Sequence, residues 1–191
     1  MAKIGIKGLT YAPYTSGGVQ SAVVYGNGVK LDDYMIRADI NEEHNDVDFY
    51  ADDHKIDVEN SMSGMTLGLE LSNMTADLEK ALLGHEEGTG DELSATDGAA
   101  PFVGVGFIRK ERFKGTVSYH GFWIYKIQFA KDGDTTNTKG ESVEFQTEAL
   151  TGNAVAVTLA ANGSNIYYSH MRAATEAAVR TWLNGKAGVT Q

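Results

Sequence analysis

The sequence predicts a mainly β fold, an antiparallel β-sandwich or barrel with one short flanking helix and a C-terminal helix. Three observations carry this. Apolar residues recur with a period of two over most of the chain, the pattern of strands with one buried face. The spacers between these segments are short and hold no crossover helices, which favours antiparallel neighbours. Glycine is abundant at 22 residues and proline scarce at 2, so turns fall to Gly, Asn and Asp, which tolerate positive φ.

Taken in order, residues 3–10, 19–25 and 33–40 are candidate strands, with Asn27-Gly28 as a tight turn between two of them. Ile56 and Val58 alternate with Lys55, Asp57 and Glu59, and Met65, Leu67, Leu69 and Leu71 alternate with Thr66, Gly68, Glu70 and Ser72. Thr75 to Gly84 then reads as a short helix. Thr75 is placed to cap it, Asp77 sits near its positive end, Gly84 suits the left-handed terminus, and Leu78, Ala81 and Leu82 form one face. Val103, Val105 and Phe107 form the next strand, 113–119 another, and Trp123, Tyr125, Ile127 and Phe129 are predicted to share one face of a further strand. Val143, Phe145 and Thr147 follow, then Val155, Val157 and Leu159, then Ile166-Tyr167-Tyr168. Residues 171–184 carry an alanine-rich helical pattern closed by Gly185, with Met171, Ala178, Val179, Trp182 and Leu183 as the apolar stripe.

Residues 85–100 and 131–142 lack periodicity and read as loops. The segment 39–59 is different: it holds nine carboxylates (Asp39, Glu42, Glu43, Asp46, Asp48, Asp52, Asp53, Asp57 and Glu59) against a single lysine, Lys55. Its composition predicts a long acidic loop at about 39–55. The division that follows is a β domain over 1–165 and a strand-and-helix extension over 166–191, with no internal repeat.

Composition narrows the function classes. There is no cysteine, so disulfides, thiolate catalysis and Cys-based metal sites are excluded. The formal charge is −10, which argues against a binder of duplex DNA, because phosphate contact needs a basic surface. The first residues lack the apolar run of a signal peptide, and no segment approaches the roughly 20 apolar residues of a membrane span.

Candidate chemical sites are few. His44, Asp46 and Asp48 with Asp52, Asp53 and His54 place histidine and carboxylates at the short spacings that hard or borderline cations accept. A solvated or partner-facing acidic segment is the competing reading. Asp132-Gly133-Asp134 begins like a calcium loop, but Asn137 and Val143 stand where glycine and a bidentate glutamate belong. Gly104-Val105-Gly106 and Gly26-Asn27-Gly28 lack the third glycine and the helix of a dinucleotide fingerprint. No G-x-S-x-G elbow or H-E-x-x-H helix is present, and a cleft gathering His44, His54 or His85 with carboxylates would be needed for an enzyme. The sequence therefore predicts a non-enzyme without cofactor. Trp123, Tyr125, Tyr167 and Tyr168 have few basic neighbours and suit core or subunit packing better than base stacking.

Five segments, taken in succession, resemble the phi13-type major tail protein family of siphophages. They are Phe49 to Ile56, Gly64 to Leu71 with the helix ending Leu82-Leu83-Gly84, Gly104 to Phe107, Trp123 to Phe129, and Thr138 to Thr147 followed by Gly152. In order and spacing the resemblance covers roughly residues 2–160. The resemblance implies a tail-tube-like β-sandwich whose copies form hexameric rings stacking into a hollow tube, through which viral DNA passes without specific binding. It implies a virion (tail) location, with assembly in the host cytoplasm, and tape-measure and tail-tip or terminator proteins as further partners. Glu42, Glu43, His44, Asp46, Asp48, Tyr50, Asp52 and Asp53 are the expected inter-subunit residues. A tube component of a contractile or type VI-like injection system and a monomeric β-sandwich binding module are the alternatives.

Overall fold

A computed structural model describes residues 2–51, 54–89, 92–133, 147–159 and 163–189. Its centre is a nine-stranded antiparallel sheet. The chain enters through β1 (Ala2–Ser16), whose outer edge takes two short strands, β2 (Val24–Tyr25) and β3 (Val29–Leu31), with Asn27-Gly28 between them. Two long strands follow, β4 (Met35–Ala51) and β5 (His54–Leu71), then helix α1 (Ala76–Leu83) and a small separate hairpin, β6 (Glu86–Glu87) with β7 (Leu93–Ser94). Strands β8 (Val103–Phe113) and β9 (Thr116–Lys131) form the central hairpin. After it come β10 (Glu148–Ala154), a two-stranded pair of β11 (Val157–Thr158) with β12 (Asn165–Ile166), β13 (Tyr168–Ala173), and helix α2 (Glu176–Ala187).

The strand order β2-β1-β8-β9-β10-β5-β4 leaves β4 at one end of the sheet. The sheet curls until β4 lies across from β1, and a cleft of about 440 Å³ separates them, lined by Ile6, Ile36, Ala38, Ile40, Phe107 and Arg109 among others. The architecture is thus a partly open β-barrel. Its interior holds Leu9, Met65, Leu67, Leu69, Leu71, Val105, Phe107, Phe122, Ile124, Ile127, Phe129 and Leu150, closed by Leu78 and Leu82 of α1. Helix α1 begins at Thr75, whose hydroxyl accepts the Leu78 N–H, and ends at Gly84 in the left-handed region (φ 74°), as its sequence predicts.

A second core lies outside the barrel wall, where Ile108, Trp123, Tyr125 and Val157 meet Val179, Leu183 and Ala187 of α2. The wall has to be thin there. A Cβ on Gly121 would stand 2.4 Å from Val179 Cγ1, and one on Gly106 2.7 Å from Leu183 Cδ2, so both glycines are needed for the helix to approach the strands. Polar ties hold the helix in place: Lys7 and Arg180 pair with Glu176, and Arg180 also reaches Asp32 at 2.8 Å. The segment set apart by sequence as 166–191 therefore supplies a β-strand to the main sheet and one side of a core.

Four expectations need correction or restriction. Trp123, Tyr125, Ile127 and Phe129 do not share a face. A bulge, where β8 pairs advance from Val103↔Ile127 to Val105↔Ile124, inverts the alternation, so Trp123 and Tyr125 face α2 while Ile127 and Phe129 face the barrel. The C-terminal helix does not begin at Met171, which sits on β13 opposite Gly121; it is capped by Thr175 and runs through Gly185 to the left-handed Gly188. Val155 is an exposed connection rather than a strand residue, and only Val157–Thr158 pairs. The predicted strand at 143–147 and most of the loop at 131–142 lie outside the described residues.

Trp123 is wholly buried between the sheet and α2. Trp123→Ala should therefore lower the free energy of unfolding by about 3–5 kcal/mol, by lost burial and a residual cavity. Phe49→Ala, at an exposed position, should change it by less than about 0.5 kcal/mol; urea unfolding followed by fluorescence and circular dichroism checks both.

A candidate assembly interface

The predicted acidic loop is a β-hairpin. β4 and β5 pair from Met35↔Leu71 out to Ala51↔His54, but only the inner part of β5, Met65 to Leu71, has a second neighbour in β10. Beyond Met65 the two strands continue alone. Residues 44–51, at about 3.3 Å each, carry this ribbon about 25 Å past the stretch of β5 that pairs with β10. Every residue described from Asn41 to Tyr50 and from His54 to Ser61 is exposed.

Local chemistry explains why so acidic a segment forms strands. Antiparallel partners share a face, and several carboxylates find a partner on the opposite strand. Asp46 accepts from the Asn60 side chain, and Asp48 is held by Lys55 at 2.6 Å and by the Tyr50 hydroxyl at 3.3 Å. The Lys55 hydrogen bond keeps the Asp48 carboxyl below its usual pKa. Val47 and Phe49 on one strand and Ile56 and Val58 on the other mirror each other about Asp52-Asp53, a spacing that signals a hairpin, although the observed register is one residue off and sets Val47 opposite Glu59 and Val58 opposite Asp48. That symmetry was the available signal. The density of Asp, Glu and Asn, poor strand formers, masked it.

Of the residues expected at an interface, Glu42 through Tyr50 all lie on the ribbon or at its base. Asp52 and Asp53 lie outside the described residues. Glu42 lies 3.5 Å from His44, and Glu43 packs over Gly64. Among the described residues no three histidine or carboxylate groups are arranged to hold a metal ion. Sequence reading missed the apolar content of the ribbon. Val47 and Phe49 are each 61 % exposed, Tyr50 60 % and Ile56 58 %, whereas Ile56 and Val58 had been expected on a buried face.

The base of the ribbon is clamped. The register slips between Glu43↔Gly64 and His44↔Met62, leaving Ser63 as a bulge. Tyr167, just before β13, and Tyr168, its first residue, meet it there. The Tyr167 hydroxyl donates to the Ser63 carbonyl at 3.1 Å and the Tyr168 hydroxyl to Glu42 Oε1 at 2.6 Å. The hydrogen bond to Glu42, reinforced by burial and by the carboxylate charge, pushes the Tyr168 pKa up to about 12.

Strands β8, β9 and β13 also carry a charge cluster, in which Glu111 and His120 are buried, Arg109 is half-buried and Arg172 is exposed. Arg109 contacts Glu111 at 2.7 Å and His120 Nδ1 at 3.1 Å, and Arg172 faces Glu111 Oε2 at 3.4 Å. Burial would raise the Glu111 pKa, but Arg109 and Arg172 outweigh it and hold the carboxyl below its usual range. Burial, with both arginines, keeps His120 below its usual pKa, so the neutral ring accepts from Arg109. His170 and Phe122 pack on that ring. Through Arg109 the cluster reaches the wall of the cleft between β1 and β4.

Compared with known proteins, the chain matches no protein-family model and no curated protein sequence.

The clamp sets a measurable titration. The Tyr168 hydroxyl should ionise at about 12, and Glu42→Gln should bring it back toward the ordinary value of 10. Because the folded pKa lies above the unfolded one, the bond stabilises the fold fully below pH 10, and that contribution disappears as pH rises through about 12. Tyrosinate absorbance in the wild type, Tyr168→Phe and Glu42→Gln resolves the transition.

Proposed function

We propose that the protein is a self-assembling structural subunit of the tail-tube class, whose ribbon of β4 and β5 is its contact with other copies. The observation that carries this is a two-stranded ribbon, exposed on both faces, that carries five large apolar or aromatic side chains. A lone two-stranded hairpin is marginal in water, and one with exposed apolar residues and two free edges invites pairing. Coverage by a neighbouring copy supplies the missing burial and third strand together. The reading as a siphophage tail tube, with DNA in its bore and tape-measure and tail-end proteins as further partners, rests on the resemblance of the strand segments. The acidic balance supports it, because a negative wall keeps phosphate from sticking.

Electron microscopy and sedimentation velocity over a concentration series test the proposal. The full chain should form rings or tubes with a regular axial repeat. A chain in which residues 44–63 are replaced by Asn-Gly, joining Glu43 to Gly64 through a two-residue turn, should keep the fold, losing Met62 from the edge of the core and the Tyr167–Ser63 bond, and remain monomeric. Tubes from the shortened chain would remove the ribbon from assembly, and monomers of the full chain at every concentration would refute the function.

A further inference from the structure

The ribbon has a chemically matched surface elsewhere on the same chain. The β8–β9 hairpin ends in a tight turn at Lys114-Gly115, both with positive φ (46° and 85°). At this end Arg112 and Lys114 are exposed and Lys110 is half-buried. None of the three makes an ion pair among the described residues, in contrast to Arg109 and Arg172, which are bound to Glu111. Phe113 beside them is 52 % exposed, and Ile4 on the adjoining β1 is also exposed. One face of the ribbon carries the opposite mixture. Val47 pairs across to Glu59 and Phe49 to Asp57, so two exposed apolar side chains alternate with two carboxylates that make no ion pair among the described residues.

Strand register shows where the two patches lie. Met65 pairs with Ala154, Ala154 with Ile127, and Ile127 with Val103. From that row, β5 runs back to the ribbon tip and β8 runs on to Phe113 in the same direction. Both patches therefore leave the barrel at one end, while the chain leaves β5 for α1 at the other. Two copies stacked end to end would present an α1 end to the ribbon. Copies placed side by side present the cationic hairpin.

We propose that the Val47, Phe49, Asp57 and Glu59 face of one copy docks on the Lys110, Arg112, Phe113 and Lys114 end of a laterally placed second copy. This rests on the reading of the chain as a self-assembling subunit. Carboxylates meet cations that have no ion pair among the described residues, and Phe49 and Val47 meet Phe113, over whose ring Lys114 lies, and Ile4. The contact is heterologous, so its repetition gives a ring where the rotation per copy closes and a helical filament where it does not.

Charge exchange tests it in the full-length chain. Lys110→Glu with Arg112→Glu and Lys114→Glu, and separately Asp57→Lys with Glu59→Lys, should each raise the protein concentration needed for assembly by at least about tenfold. Thermal unfolding should be unchanged. Combining all five substitutions should restore assembly to within a few-fold of wild type. If the cationic-end variant assembles like wild type while the shortened-ribbon chain does not, the neighbour docks elsewhere or the ribbon serves another partner; the proposal falls and the function stands. Failure of the combined chain to recover likewise overturns the pairing. A wild-type chain that never assembles overturns both.

Discussion

The fold depends on a single strand being covered on both sides. β9 offers Phe122, Ile124, Ile127 and Phe129 to the barrel interior and Trp123 and Tyr125 to α2. Uniform alternation would not achieve this over the length of the strand. The bulge opposite Val103 and Val105 resets the parity, and the two glycines beneath α2 let helix and sheet approach within packing distance. Because β9 also pairs with β8 along one edge and with β10 and β13 along the other, it ties the early strands, the late strands and the C-terminal helix into one unit. Burial from two directions is what a chain with no disulfide uses instead of a staple.

Charge is distributed with the same economy. Where arginine, glutamate and histidine enter the barrel they form a paired cluster, since an unpaired buried charge would cost several kcal/mol. Where carboxylates reach solvent on the ribbon, some are paired across the strands and others are left free. The cations near the β8–β9 turn likewise make no ion pair among the described residues, Lys114 lying over the Phe113 ring. A monomer gains little from separating unpaired charges of opposite sign onto two protrusions. Such separation has physical sense where another molecule brings them together.

Much of the body was legible in the sequence, because period-two alternation and helix capping act locally. Thr75, Leu78, Leu82 and Gly84 define α1 from composition alone, and Met65 to Leu71 define the inner half of β5. The misses have identifiable causes. A bulge is one residue long and leaves no mark in the alternation until the partner strand is known, which is why Trp123 and Phe129 were placed together. The ribbon was hidden by its carboxylates, since strand propensity weighs side-chain type and takes no account of a matching lysine or asparagine across the ladder. The acidic segment was legible as a stretch of residues, but not as a shape, and the exposure of Val47 and Phe49 and the contacts of Tyr167 and Tyr168 at its base emerge only from the pairing.

β5 is continuous from the ribbon into the barrel wall, and this has a mechanical sense. Its inner part pairs with β10 over the seven residues from Met65 to Leu71, antiparallel and along the ribbon's own axis. A pull on the ribbon tip therefore loads those hydrogen bonds together, in shear, instead of unzipping them one after another. The tyrosine clamp at Ser63 and Glu42 keeps the load aligned with the strand. The protrusion is built as a tension member, able to transmit force into the barrel wall without peeling away from it.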